Sequence, residues 1–198
     1  ILVDSQVITL VETEAEILSN QPVNVIYNKE SYVVEGLVDS VDIILTGRKS
    51  SLYLAKQLGE HEVVLDLSDY DASDTPQKVA LTYNQTVDNI NYKLDPAYVT
   101  VTIKKKISEE KNVTYELLNE DKLNEKFSIS DVSLDQNTVI VKGSQDTLDK
   151  IATVKALIDL SNNKFTEAIT YDVDNLPLVA YDSAGNVLEN VEIVPNTL

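Results

Sequence analysis

Residues 63–68 read VVLDLS and residues 156–161 read ALIDLS, 161 − 68 = 93 positions apart. A three-letter echo such as DLS arises easily by chance, so its weight depends on whether the surroundings repeat. They do. Val41-Asp-Ile-Ile-Leu-Thr-Gly47, a helical stretch, VVLDLS, a polar turn, a strand pair and Asp95-Pro96 compare with Thr138-Val-Ile-Val-Lys-Gly143, a helical stretch, ALIDLS, a polar turn, a strand pair and Pro195. The offset is 143 − 47 = 96 at the glycine and 195 − 96 = 99 at the proline. Such drift places small insertions and deletions in loops, where they are tolerated. An internal duplication constrains the fold more than any single motif, because every element has to be found twice.

Within each copy, short segments rich in Val, Ile, Thr and Tyr alternate with turns bearing Asn or Asp, the signature of β-structure. Strands are expected near Val23–Tyr27, Asp39–Thr46, Glu62–Asp66, Lys78–Tyr83, Ile90–Leu94 and Tyr98–Lys104. In VTVTIK, from Val99, period-two alternation predicts an antiparallel strand with one wet face. Two segments read as helices. Arg48–Leu58 brings Leu52, Ala55 and Leu58 to one face behind a serine able to cap the first turn, and Ser144–Val154 has Ser144 as N-cap, with Leu148, Ile151 and Ala152 on one face. The fold class that follows is mainly β, a β-rich α+β chain. It consists of tandem small antiparallel, partly barrel-like domains, each with one short helix. Residues 1–20 form a lead-in, 21–104 the first copy and 105–198 the second. Only three residues follow Pro195, so the second copy is expected to be clipped in its last strand. The charge-dense KKKISEEKN, Lys104–Asn112, suits a linker or an exposed strand end.

Composition narrows the function. The net charge is −17, divided evenly: residues 1–104 hold 7 Lys/Arg and 16 Asp/Glu, residues 105–198 hold 9 and 17. That surface repels phosphate backbones and anionic headgroups alike, so nucleic acid is not an expected partner. The absence of Cys excludes disulfides, thiolate metal sites and Cys nucleophiles. No window approaches the roughly 20 apolar residues of a membrane span. With no Met even at position 1, sequence is expected upstream of Ile1.

Candidate chemistry reduces mostly to structure. Asp69–Asp74 (DYDASD) clusters three carboxylates, as a hard cation would require, but lacks the glycine and the twelfth-position Glu of a calcium loop, Ala80 standing there. It reads first as a turn joining strands. His61, the sole imidazole, has no G-x-S-x-G elbow to serve and sits between Glu60 and Glu62 as a surface residue. Gly47 and Gly143 lack the glycine-rich loop and lysine of a phosphate cradle; a positive φ or a close backbone approach is their expected role. Asp182-Ser-Ala-Gly185-Asn186 is a hairpin turn signal. Tyr27, Tyr32, Tyr83, Tyr92 and Tyr98 fall in strand contexts, where packing accounts for most such residues. No catalytic, cofactor-binding or metal residue is assigned, no cofactor is expected, and a partner or ligand site is not identified.

The repeated order of strand, glycine, short helix, hydrophobic-x-Asp-Leu-Ser, strand pair and proline resembles the YbbR-domain proteins. QPVNVIYNKESYVVEGLVDSVDIILTG (Gln21–Gly47) is similar to the opening of a first YbbR unit. KNVTYELLNEDKLNEKFSISDVSLDQNTVIVKG (Lys111–Gly143) is similar to the longer opening of a following one. The resemblance implies a non-enzymatic bacterial protein, tethered by an N-terminal transmembrane helix, with its domains soluble on the outer face of the cytoplasmic membrane. The partner it implies is a membrane diadenylate cyclase, the source of cyclic di-AMP, contacted through a helix not contained in these residues. A cell-wall or glycan-binding β module, motivated by tyrosines on sheet faces, is the alternative.

Overall fold

The computed structural model describes residues 8–58, 61–161 and 163–198. The first seven residues of the expected lead-in, and Glu60 beside His61, lie outside that description. The chain divides into two compact units, residues 1–29 with 34–104 and residues 30–33 with 105–198.

The first unit carries β1 (Glu14–Ile26), β2 (Tyr32–Glu35, whose second half belongs here), β3 (Ser40–Gly47), α1 (Lys49–Gln57), β4 (Val63–Asp66), β5 (Gln77–Ala80), β6 (Thr82–Tyr83), β7 (Ile90–Asp95) and β8 (Tyr98–Lys105). The second carries β9 (Ile107–Leu118), β10 (Thr138–Gly143), α2 (Gln145–Asp149), β11 (Thr153–Asp159), β12 (Leu178–Tyr181) and β13 (Glu192–Val194). The main sheets have the orders β6-β4-β1-β3-β7 and β12-β11-β9-β10-β13. Substituting β9 for β1, β10 for β3, β11 for β4, β12 for β6 and β13 for β7 turns one order into the other. The duplication read from the echo is therefore a duplication of topology. A smaller sheet, β2-β8-β5, adds the last strand of the first copy.

The core follows from alternation. Along β3, Val41, Ile43, Leu45 and Gly47 point inward while their neighbours are half-buried. Val63 and Leu65 of β4, Val99, Val101 and Ile103 of β8, and Leu52 and Ala55 of α1 close the same core. In the second unit Val139 and Val141, Leu148, and Val154, Ala156 and Ile158 take the corresponding places. Full burial of one such Leu or Ile contributes about 1.5–3 kcal/mol, so these stripes dominate the stability of each unit.

The structure departs from the sequence reading in several places. Strand β1 begins at Glu14, well ahead of Val23. A bulge between Leu18 and Gln21, with Asn20 at φ 54°, interrupts the period-two pattern and lets β1 run on through Pro22. The expected Lys78–Tyr83 strand breaks at Leu81, and its halves β5 and β6 serve different sheets. Within the two main sheets pairing is antiparallel except in one place each, where β1 runs parallel to β4 and β9 parallel to β11. Most of Lys104–Asn112 is strand, since β9 starts at Ile107. The serine cap of the first helix is replaced by Arg48, which makes no side-chain cap bond, because β3 runs straight into the helix and leaves Ser50 and Ser51 inside its first turn. Leu58, past the end of α1, is 69% exposed instead of sharing the Leu52 face. The second helix stops at Asp149, because Thr153 and Val154 are drawn into β11 between β9 and β12. Ser144 does cap it, accepting the Thr147 N–H at 3.3 Å.

Both DLS segments make the same turn. Asp66 Oδ1 accepts the Ser68 backbone N–H at 2.9 Å and its hydroxyl at 2.6 Å. Asp159 Oδ1 accepts the same two groups of Ser161 at 2.9 and 2.7 Å, and the Asn119 amide at 2.9 Å. The Ser68 bonds hold the Asp66 carboxyl below its usual range; for Asp159 the Asn119 amide leads, followed by Ser161. The glycines are also paired, and close approach, not positive φ, explains them. A Cβ on Gly47 would lie 2.8 Å from the Asn89 carbonyl oxygen and 2.8 Å from Ile90 Cδ1; on Gly143 it would lie 3.1 Å from the Asn190 carbonyl oxygen and 3.3 Å from Leu148.

Gly47→Ala is expected to cost about 1–3 kcal/mol by overpacking against backbone, and Gly143→Ala less, a ranking that denaturant titration reads directly. Ser144→Ala removes a buried cap and should cost about 1 kcal/mol by the same measurement. A carboxylate whose pKa is lowered by folding stabilises the fold above its unfolded pKa, and that contribution is lost as pH falls through the folded value. Asp66→Asn with Asp159→Asn keeps the acceptor oxygens and removes the titration. The double variant should show a flatter decline of Tm below about pH 4 than the parent.

Candidate functional site

Helix α1 separates two chemistries. Leu52 and Ala55 face the core, while Tyr53 and Leu54 are 64% and 50% exposed. The latter pair, with Val11 and Glu12 ahead of β1 and Arg48 and Lys49 at the helix start, line an open groove of about 910 Å³. Glu14 pairs with Gly47 in the β1–β3 register, which brings the acidic start of β1 alongside the cationic start of α1. No acid occupies the first turn of α1, although the helix dipole favours one there. Lys56 is paired with Glu16 at 3.2 Å. Among the described residues, no carboxylate forms an ion pair with Arg48 or Lys49.

Helix α2, at the same place in the second copy, is the opposite case. Its start is capped by Ser144 and followed by Asp146, and its exposed residues Gln145, Asp146 and Asp149 are polar or acidic. The fold itself therefore does not require an apolar, cationic outer face at this position. A second groove, about 400 Å³, is lined in that unit by Tyr115, Leu117, Leu123, Phe127, Ile129 and Leu160 among others.

Residues singled out by sequence are dispersed and mostly structural. His61 is half-buried, with Nδ1 2.8 Å from the Tyr83 hydroxyl, so it is less of a surface residue than its carboxylate neighbours suggested. Tyr83 is buried, which pushes its hydroxyl pKa up, and packs edge-on against Tyr92 at 5.2 Å. Tyr98 lies beneath the Lys78 ammonium at 4.5 Å. The loop Asp69–Asp74 is laid on the first unit by the Ser73 N–H, donated to the Ile103 carbonyl at 2.9 Å, and by Gln77, donating to the Asp71 carbonyl at 3.0 Å. Among the described residues no group of three His, Cys, Asp or Glu is placed to hold a metal ion. At the Asp182–Asn186 turn, the Asp182 carboxylate accepts the Asn186 and Ala184 N–H groups at 2.8 and 3.0 Å, and these bonds, Asn186 first, lower its pKa.

The outer face of α1 escaped the sequence reading for an identifiable reason. Leu52, Ala55 and Leu58 satisfied helical spacing, so Tyr53 and Leu54 were not counted as a surplus. The signal available was a helix apolar on two sides, preceded by Arg-Lys with no acid in its first turn.

Comparison with known proteins covers both copies. The family model described as YbbR-like protein matches residues 21–103 and again 112–198. The chain is 27% identical over 186 residues to the CdaA regulatory protein CdaR of Bacillus subtilis (strain 168), the match covering 94% of the chain and 37% of that relative's length. Among solved structures, a YbbR-like protein from Streptococcus pneumoniae TIGR4 superimposes with a TM-score of 0.64 at 24% identity, over 95% of this chain and 93% of that one, and shows the same fold. A YbbR-like domain from Listeria monocytogenes matches at 29% identity with a TM-score of 0.43, over 48% of this chain and 96% of its own. With two family matches on two copies of one topology, the chain belongs to the YbbR-like protein family.

Proposed function

We propose that this chain is the non-enzymatic, extracytoplasmic interaction region of a membrane-anchored regulator of a diadenylate cyclase. The observation that carries the reading is the similarity to the CdaA regulatory protein CdaR, which runs through both copies and not through one domain alone. The chain spans 37% of that relative's length. In this reading a transmembrane helix of the full protein makes the contact with the cyclase. Among the described residues no helix is long and apolar enough to cross a membrane. In this reading residues 1–20 lead from the anchor into the first copy, 21–104, which is followed by the second, 105–198.

The two copies then act as a receiver. Their cores are apolar and their turns internally bonded, which suits rigid modules that present surfaces to a partner. The second reading, a glycan-binding module, draws on exposed tyrosines, but Tyr92 and Tyr98 are each engaged by a neighbouring side chain and are not free stacking platforms. Titrating wall fragments against the chain and following chemical shifts should give no saturable perturbation. In cells that carry the cyclase, cyclic di-AMP should differ measurably with and without the full-length protein; equal levels would sink the regulatory reading.

A further inference from the structure

We draw no further inference here: the strongest candidate, the exposed apolar patch of Tyr53 and Leu54 on the outer face of α1, is an unpartnered face, and nothing in the structure shows what covers it.

Discussion

Each copy depends on one strand that changes partners along its length. β1 pairs antiparallel with β3 from Glu14 to Pro22 and then parallel with β4 from Val23 to Ile26. β9 repeats the manoeuvre, antiparallel to β10 from Ile107 to Asn112 and parallel to β11 from Val113 to Leu118. At the handover the Val23 and Val113 N–H groups still donate toward the antiparallel side, to the Asp39 and Asn137 carbonyls at 3.0 and 2.9 Å, while the same residues register with Val63 and Val154, so one strand joins two half-sheets into a single layer. The helix follows from this. β4 runs opposite to β3 but lies on the far side of β1, so the connection cannot be a tight hairpin and has to pass across β1; α1 makes that passage in one copy and α2 the equivalent one across β9 in the other. The close approach at Gly47 and Gly143 lies at the entrance to that crossover, where β3 and β10 end and the backbone of Asn89 or Asn190 passes within touching distance.

Much of this was legible in the sequence. Period-two alternation located β3 and β8, the Asp-Leu-Ser segments marked equivalent turns, and Ser144 announced its helix. Strand direction was not legible, because alternation records which face is buried and is silent on whether the neighbour runs up or down. The first half of β1 was not legible, since the bulge between Leu18 and Gln21 falls in the polar Ser19-Asn20-Gln21 and breaks the alternation that marks a strand. The α1 surface was hidden in another way. Its residues obey helical spacing whichever side is counted as core, and only packing shows that Leu52 and Ala55 fill the interior while Tyr53 and Leu54 face out. Nothing in the letters distinguishes a core leucine from a surface leucine one position away.

The two copies have diverged where the fold permits it. The interior positions keep their apolar character and the Asp-Ser turns keep their bonds, because both are required by the same sheet. The outward face of the crossover helix carries no such requirement, and there the copies differ in sign, polarity and length, with nine residues in α1 and five in α2. Duplication of a scaffold leaves one copy free to hold a surface that the other has lost or never had.

Tandem copies of one topology carry a hazard during synthesis, the exchange of equivalent strands between repeats. The parallel rung is the vulnerable step, because β1 and β9 each wait some 40 residues for the strand that completes them, 63 − 23 = 40 in the first copy and 154 − 113 = 41 in the second. The mismatch in ladder length works against exchange. β4 offers four rungs and β11 six, and the two ladders end alike, with Asp66 opposite Ile26 and Asp159 opposite Leu118, so β4 laid on β9 would leave Val113 and Thr114 without partners, and β11 laid on β1 would run back past Val23 into the stretch paired with β3. With ladders of unequal length, an exchange between the repeats leaves backbone groups unmatched that the native pairing satisfies.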